Sequence, residues 1–191
     1  MEELQTEPIK RKIDTAIITE TKEKKNKVSD DIGNYLMIYC GVPANQWVSS
    51  GVAFAIRKYW KHKIQDYTWI SDRIIATTIR VLYRNFTIVR LNVPVEGKEE
   101  REEFYRELQQ NKEKIPKTEN IISAGNFNGR LGNQPIPEHI GPYGEQIMSR
   151  NGATLSDYCA LNKHKIKKKK TYFTDTKTYT NLLGRQEGTS Q

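Results

Sequence analysis

The ten residues Ser123-Ala124-Gly125-Asn126-Phe127-Asn128-Gly129-Arg130-Leu131-Gly132 restrict this chain more than any other stretch. Ile121 and Ile122 lead into them, and three glycines and two asparagines fall within the ten positions. An apolar run that turns abruptly into glycines and asparagines reads as a buried strand ending in a tight loop. Such a loop presents polar side chains at the edge of a sheet. In an α/β sandwich, a strand end of this kind is where a metal and a phosphate are usually handled. The same residues also suit an ordinary strand followed by an Asn/Gly turn.

The rest of the chain alternates strand and helix patterns. Residues 1–10 read as a disordered leader, and residues 11–191 as the folded part. Ile13 to Glu20 is almost continuously apolar up to its end, as in a buried strand. Tyr35 to Cys40 and Gly51 to Ile56 repeat the pattern, with Gly41 to Gln46 as a loop between them. Tyr59-Trp60-Lys61-His62-Lys63 mixes aromatics with cations; it suits phosphate contact and equally a half-buried hairpin. Ile74 to Leu82 is rich in β-branched residues and reads as a strand, as does Asn85 to Pro94. Glu96 to Asn111 reads as a helix, with Phe104 and Leu108 at i and i+4 and glutamates crowding its first turns. Ser149-Arg150-Asn151-Gly152 precedes a second helix with Leu155, Tyr158, Cys159 and Leu161 on its inner face, and Thr171–Phe173 and Lys177–Thr180 read as short strands.

At 191 residues the chain suits one domain. Its hydrophobic content is 36% and its mean hydropathy −0.75, so the core is expected to be thin. No apolar run reaches membrane-spanning length, and the acidic, polar opening Met1 to Gln5 does not read as a signal peptide. Cys40 and Cys159 make neither a disulfide framework nor a zinc spacing, which fits a reducing, intracellular compartment. His62, His139 and His164 are scattered and read as surface or loop residues. The net charge of +8 favours polyanions, nucleic acid first. Lys163, Lys165, Lys167, Lys168, Lys169 and Lys170 place six lysines in eight positions, and Lys22 to Lys27 form a second basic patch. Each reads as a solvated loop or as a phosphate-binding one. The first also admits a nuclear-import reading.

Gly125-Asn126-Phe127-Asn128 resembles the Gly-Asp-Phe-Asn motif of the endonuclease/exonuclease/phosphatase superfamily. Ser71-Asp72-Arg73-Ile74-Ile75, Glu102-Glu103-Phe104-Tyr105, Gly132 to Pro137, Gly141 to Gln146 and Arg150-Asn151-Gly152 follow the order of one branch. That branch is similar to the endonuclease domain of non-LTR (LINE-type) retrotransposons, a group that includes craniofacial-development-protein-2-like products. The resemblance implies an α/β fold, a four-layer α/β sandwich of the deoxyribonuclease-I-like kind, and hydrolysis of DNA phosphodiesters with Mg²⁺. A phosphatase of inositol phosphates shares that fold and fits the neighbouring motifs less well.

Phosphodiester hydrolysis of this type requires a divalent cation on hard oxygen ligands and a carboxylate to orient or deprotonate water. It also requires an imidazole–carboxylate pair and polar groups that hold the non-bridging oxygens. By resemblance, Glu20 is the metal ligand and Asn128 the second polar residue of the loop. Two further positions depart from the family pattern. The loop aspartate is Asn126, and the tyrosine of a Val-Tyr-Ala-Pro-like string is Asn92 in Leu91-Asn92-Val93-Pro94. No Asn-containing strand precedes Ile13 and no Ser-Asp-His follows Thr180, so the domain is expected to be partial, truncated at both ends. Two functions follow. One is a retrotransposon-derived endonuclease domain, impaired in this copy and weak in Mg²⁺. The other is a non-catalytic remnant that binds nucleic acid through its lysines.

Overall fold

The computed structural model describes residues 14–19, 21, 28–40, 51–95, 99–137, 140, 145–168 and 181–185. The leader, Glu20, Lys22 to Lys27, the 41–46 loop, His139, Gly141 to Gly144, Lys169, Lys170 and the two strands expected between Thr171 and Thr180 lie outside these residues. The chain divides into two compact units, residues 1–92 and residues 93–191.

In the first unit, β1 (Thr15–Thr19), β2 (Val28–Ile32), β3 (Tyr35–Cys40) and β4 (Val52–Arg57) form an antiparallel sheet in the order β1-β4-β3-β2. β3 and β4 are apolar along nearly their whole length and occupy its centre. β2 was not legible as a strand, because Val28-Ser29-Asp30-Asp31-Ile32 is polar and carries two aspartates. Two local features hold it. Gly33 takes φ +53 in the two-residue turn to β3, and the Tyr39 hydroxyl donates to Asp30 at 2.6 Å.

A meander of β5 (Ile64–Ser71), β6 (Ile74–Val81) and β7 (Arg84–Asn92) supplies the other sheet of this unit. Leu36, Ile38, Cys40, Val52, Phe54 and Ile56 from the first sheet meet Ile75 and Ile79 from the meander in one core. Polar groups also bridge the two layers: Trp69 Nε1 donates to the Tyr39 carbonyl at 3.2 Å, and Cys40 Sγ to that of Ser71 at 3.1 Å. Three expectations are corrected here. Tyr59 to Lys63 is not a hairpin but part of a 3-10 helix, Lys58–Lys63, with Trp60 turned onto the core. β6 stops at Val81, because Leu82 takes φ +56 to turn the chain. β7 stops at Asn92, short of Val93 and Pro94.

In the second unit, β8 (Asn120–Asn126), β10 (Asn181–Arg185) and β9 (His164–Lys168) run side by side in that order, antiparallel throughout. Helix α1 (Glu100–Glu113) buries Phe104, Tyr105 and Leu108. Helix α2 (Arg150–Leu161) buries Leu155, Tyr158 and Cys159. Tyr105 meets Tyr158 across the two helices at 5.5 Å between ring centroids. Burial pushes both phenols well above their ordinary range and the Cys159 thiol up to about 12.

The second unit corrects four readings. Arg150-Asn151-Gly152 forms the first turn of α2 rather than preceding it, with Ser149 as its cap. Leu161 is exposed, because the inner face ends with Cys159. His164 is fully buried against the Tyr158 ring. The lysine run from His164 to Lys168 is a strand, not a loop. It pairs with β10 from Lys168↔Asn181 to His164↔Arg185. His164 and Ile166 point inward and Lys165 outward, so strand alternation keeps the lysines of a basic sequence compatible with a sheet. Among the described residues, no helix is long and apolar enough to cross a membrane.

The core of the first unit contains an unexpected cation. Arg90 is fully buried, lies 3.9 Å over the Phe54 ring and donates from Nη2 to Thr77 Oγ1. Among the described residues, its Nε and Nη1 have no hydrogen-bond partner. Burial pushes its guanidinium down to about 9, slightly opposed by the nearby Cys40. A base whose folded pKa lies below its unfolded value weakens the fold while charged, and that loss fades as pH rises through the folded value. Arg90→Met should therefore raise stability near pH 7 by about 1–2 kcal/mol. The difference in melting temperature from the parent chain should narrow above pH 9. Thermal denaturation of both proteins at pH 7 and pH 10 measures it; a less stable variant at pH 7 contradicts it.

Candidate functional site

β8 delivers the Gly125-Asn126-Phe127-Asn128 loop at its end, as its composition predicted. Gly125 is buried at φ +149, a conformation that side chains rarely adopt. Phe127 is buried to 1% and anchors the turn in the core. Asn126 Oδ1 accepts the backbone N–H of Asn128 at 3.0 Å, an Asx turn. Asn128 itself takes φ +46, which asparagine tolerates better than most residues. Its side-chain Nδ2 donates to the Val93 carbonyl at 2.7 Å, and the Asn126 carbonyl accepts from Val93 N–H at 2.8 Å. Both asparagines therefore shape the backbone of the loop.

The first turn of α2 locks this loop from behind. Asn151 is fully buried and its Nδ2 donates to the carbonyls of Pro94 at 2.9 Å and Asn128 at 3.0 Å. Arg101 donates to its Oδ1 at 3.5 Å. Ser149 Oγ accepts from Gly152 N–H at 3.2 Å and from Arg130 N–H at 3.0 Å, so one hydroxyl caps the helix and holds the loop. The Ser149 N–H donates to the Arg130 carbonyl at 2.9 Å. Arg130, exposed, sits 3.7 Å from Glu145. Asn151, Ser149 and Gly152 were read from the sequence only as motif and helix entry. Their contacts with the loop come from residues about twenty positions apart, which no local pattern encodes.

The other expected site residues fall as follows. Asn92 closes β7 in the first unit and is 2% exposed. Its backbone is held by Arg73, through N–H to carbonyl at 3.0 Å and guanidinium to carbonyl at 3.4 Å. Its Oδ1 has no donor among the described residues. Lys163 takes φ +53 and is exposed just before β9. Lys165 is exposed on β9, and Lys167 and Lys168 complete the strand. Glu20, Lys169 and Lys170 lie outside the described residues.

Magnesium binds hard oxygen ligands, usually with one or two carboxylates. The 126–128 loop offers only amide oxygens, and that of Asn126 already accepts a backbone N–H. Among the described residues, no group of three or more His, Cys, Asp or Glu side chains is placed to hold a metal ion. The described residues of the loop bring no carboxylate to a Mg²⁺ ion, and Glu20, the expected carboxylate ligand, lies outside them. What the loop offers chemically is a rigid, uncharged hydrogen-bonding turn.

No family model matches the chain. Craniofacial development protein 2 of Tragulus javanicus is 29% identical over 137 residues, covering 71% of this chain and 23% of that protein. The Bos taurus protein of the same name is 28% identical over 137 residues, covering 71% of this chain and 22% of its own length. This chain thus spans less than a quarter of the length of these curated relatives. Among solved structures, the endonuclease domain of TRAS1, a telomere-specific non-LTR retrotransposon, matches with a TM-score of 0.61. The match is 15% identical and covers 97% of this chain and 78% of that one. An endonuclease/exonuclease/phosphatase family protein from Leptotrichia buccalis matches with a TM-score of 0.60 and 14% identity, over 96% of this chain and 80% of that one. TDP2 of D. rerio, complexed with single-strand DNA product, gives a TM-score of 0.52 at 11% identity, over all of this chain and 78% of that one. The chain has the α/β fold of the endonuclease/exonuclease/phosphatase superfamily, as its motifs predicted, and is distantly similar in sequence to craniofacial development protein 2.

The contact between α2 and the loop yields a prediction of unusual sign. A Cβ on Gly152 would stand 1.8 Å from the Arg130 carbonyl oxygen. Helix propensity alone favours alanine over glycine by about 1 kcal/mol. Here the backbone clash should dominate, so Gly152→Ala should destabilise the chain by at least about 2 kcal/mol. Denaturant melts of the two proteins measure the sign directly.

Proposed function

We propose that this chain is a DNA endonuclease domain of non-LTR retrotransposon descent whose phosphodiester cleavage is impaired, and that it engages DNA through its lysine-rich strand. The carrying observation is Asn126. Where the resembled motif has an aspartate, this chain has a neutral amide whose Oδ1 is committed to the Asn128 N–H. A carboxylate at this point would add an anionic ligand for a divalent cation or a base for water; the amide carries no charge and is no base. Loss of a general base lowers rates by roughly 10²- to 10⁴-fold. Asn92, in place of the tyrosine, removes a second polar contact expected near the scissile phosphate. Glu20 alone then supplies carboxylate to the metal, and Mg²⁺ is held weakly. A DNA partner implies an intracellular, nuclear location.

A second reading is a remnant without any catalysis that still binds nucleic acid. The arrangement of β9 favours it, since the strand keeps Lys165 on the exposed face of a paired edge. A plasmid assay separates the two. Supercoiled DNA with millimolar Mg²⁺ should show nicking far below that of an active nuclease, and whatever nicking remains should vanish with EDTA and in Glu20→Gln. Nicking that is absent at any protein concentration supports the remnant. Rapid nicking, lost in Glu20→Gln, overturns impairment. Binding is measured separately. Lys165→Gln with Lys167→Gln should weaken duplex binding about equally across sequences. It should also flatten the salt dependence by up to about 1.8 in log–log slope, since each phosphate contact contributes about 0.9. An unchanged slope removes β9 from the DNA interface.

A further inference from the structure

Where β7 begins, far from Asn92, one end of the first unit gathers cations and exposed aromatics that the proposed cleavage site does not use. β7 separates that end from Asn92 by about 27 Å of extended strand. The 3-10 helix Lys58–Lys63 packs there against β3, β4, β5 and β6. Ile64 pairs with Ile79, so the residues one step further, Lys63 and Arg80, are neighbours. Val81 pairs with Arg84, and Leu82 and Tyr83 form the two-residue tip between them.

The composition of this end is unlike that of an ordinary turn. Tyr83 is 94% exposed, Leu82 82% and Tyr59 55%. Leu82 adopts φ +56, where glycine or asparagine is the usual occupant of a hairpin turn. Leu82 and Tyr83 face solvent, and a strained backbone at such a tip is a reason to look for a contact role. Around it stand Arg57, Lys58, Lys61, Lys63, Arg80 and Arg84. Asp14 lies 3.9 Å from Arg57, and Asp31 is shared by Lys58 at 3.6 Å and Lys61 at 3.3 Å. Asp66 pairs with Thr78 on the neighbouring strand. Among the described residues named here, six cations against three carboxylates leave the end positive. None of the ion pairs among the described residues uses Lys63 or Arg80.

We infer that this end of the first unit is a second nucleic-acid surface, one that takes a single strand: bases stack on Tyr83 and Tyr59 while Lys63 and Arg80 contact the phosphates. Exposed aromatics set among cations are what single-strand binding requires, because every base offers a stacking face and the backbone follows the charge. A duplex keeps its bases stacked and offers the tyrosines nothing. The surface needs neither the cleavage chemistry nor β9, and it stands if either of those fails.

The test uses the full chain and fluorescein-labelled 20-mer thymidine DNA, single-stranded or annealed to its complement, read by anisotropy. Tyr83→Ala should weaken single-strand binding by about 5- to 10-fold. Tyr83→Phe should restore it, and duplex binding should be unchanged in both. Lys63→Gln with Arg80→Gln should flatten the single-strand salt dependence by about 1.4 in log–log slope, at about 0.7 per contact. Circular dichroism of each variant checks that the substitutions leave the fold intact. The inference is overturned if Tyr83→Ala binds the single strand as the parent does. It is overturned equally if only Lys165→Gln with Lys167→Gln lowers affinity, or if the tip variants weaken single strand, duplex and heparin alike. The last result would mark a general polyanion patch without stacking.

Discussion

The geometry of the loop after β8 depends on one buried amide. Asn151 carries hydrogen bonds to the carbonyls of Pro94 and Asn128, and these bring three separate chain segments to one point. A buried carbonyl without a donor costs about 1–3 kcal/mol, so each bond restricts where its segment can sit. Ser149 and Gly152 complete the arrangement, the first with a hydroxyl shared between helix and loop, the second by having no side chain at all. The Gly-Asn-Phe-Asn and Arg-Asn-Gly stretches are thus two halves of one device, and the Asx turn of Asn126 fixes the conformation of the loop. Asparagine and aspartate make the same Asx turn. Shape and charge are therefore separable at such a position: either residue makes the turn, and only the carboxylate would bring a charge to it.

The first unit has a different constraint. Its two sheets share a core in which one position holds a guanidinium instead of a hydrocarbon. Arg90 alternates along β7 with residues that face the other way, and its inward placement follows from the same register that buries Asn92 two positions on. Stacking on Phe54 and a bond to Thr77 answer only part of its hydrogen-bonding capacity.

Much of this architecture was legible in the sequence. β3, the strand leading into the Gly-Asn-Phe-Asn loop and the buried faces of both helices up to Cys159 follow from apolar periodicity. What escaped was set by partners distant in sequence. β2 is too acidic to look like a strand and exists because β3 pairs with it. The lysine run looks like a loop until β10 is found alongside. His164 looks like a surface residue because nothing local reveals that α2 covers it. At the candidate site, the loop and its asparagines were found by motif. Their engagement with Val93 was not, because a side-chain amide gives no sign in sequence of which carbonyl it will meet.

The pairing of β9 has a consequence for the chain's behaviour in company. β9 is the last strand in the order β8-β10-β9, and among the described residues a bridge from Ile140 to Ile166 lies beyond it. A sheet margin of this kind exposes unpaired amides and carbonyls to which another molecule's strand can add. Here that margin is written in lysine, and two copies approaching edge to edge bring like charges together at strand spacing. Charge of this kind on a sheet margin opposes edge-to-edge pairing of two copies. Neutralising the lysines, by acetylation or by high salt, would remove that opposition.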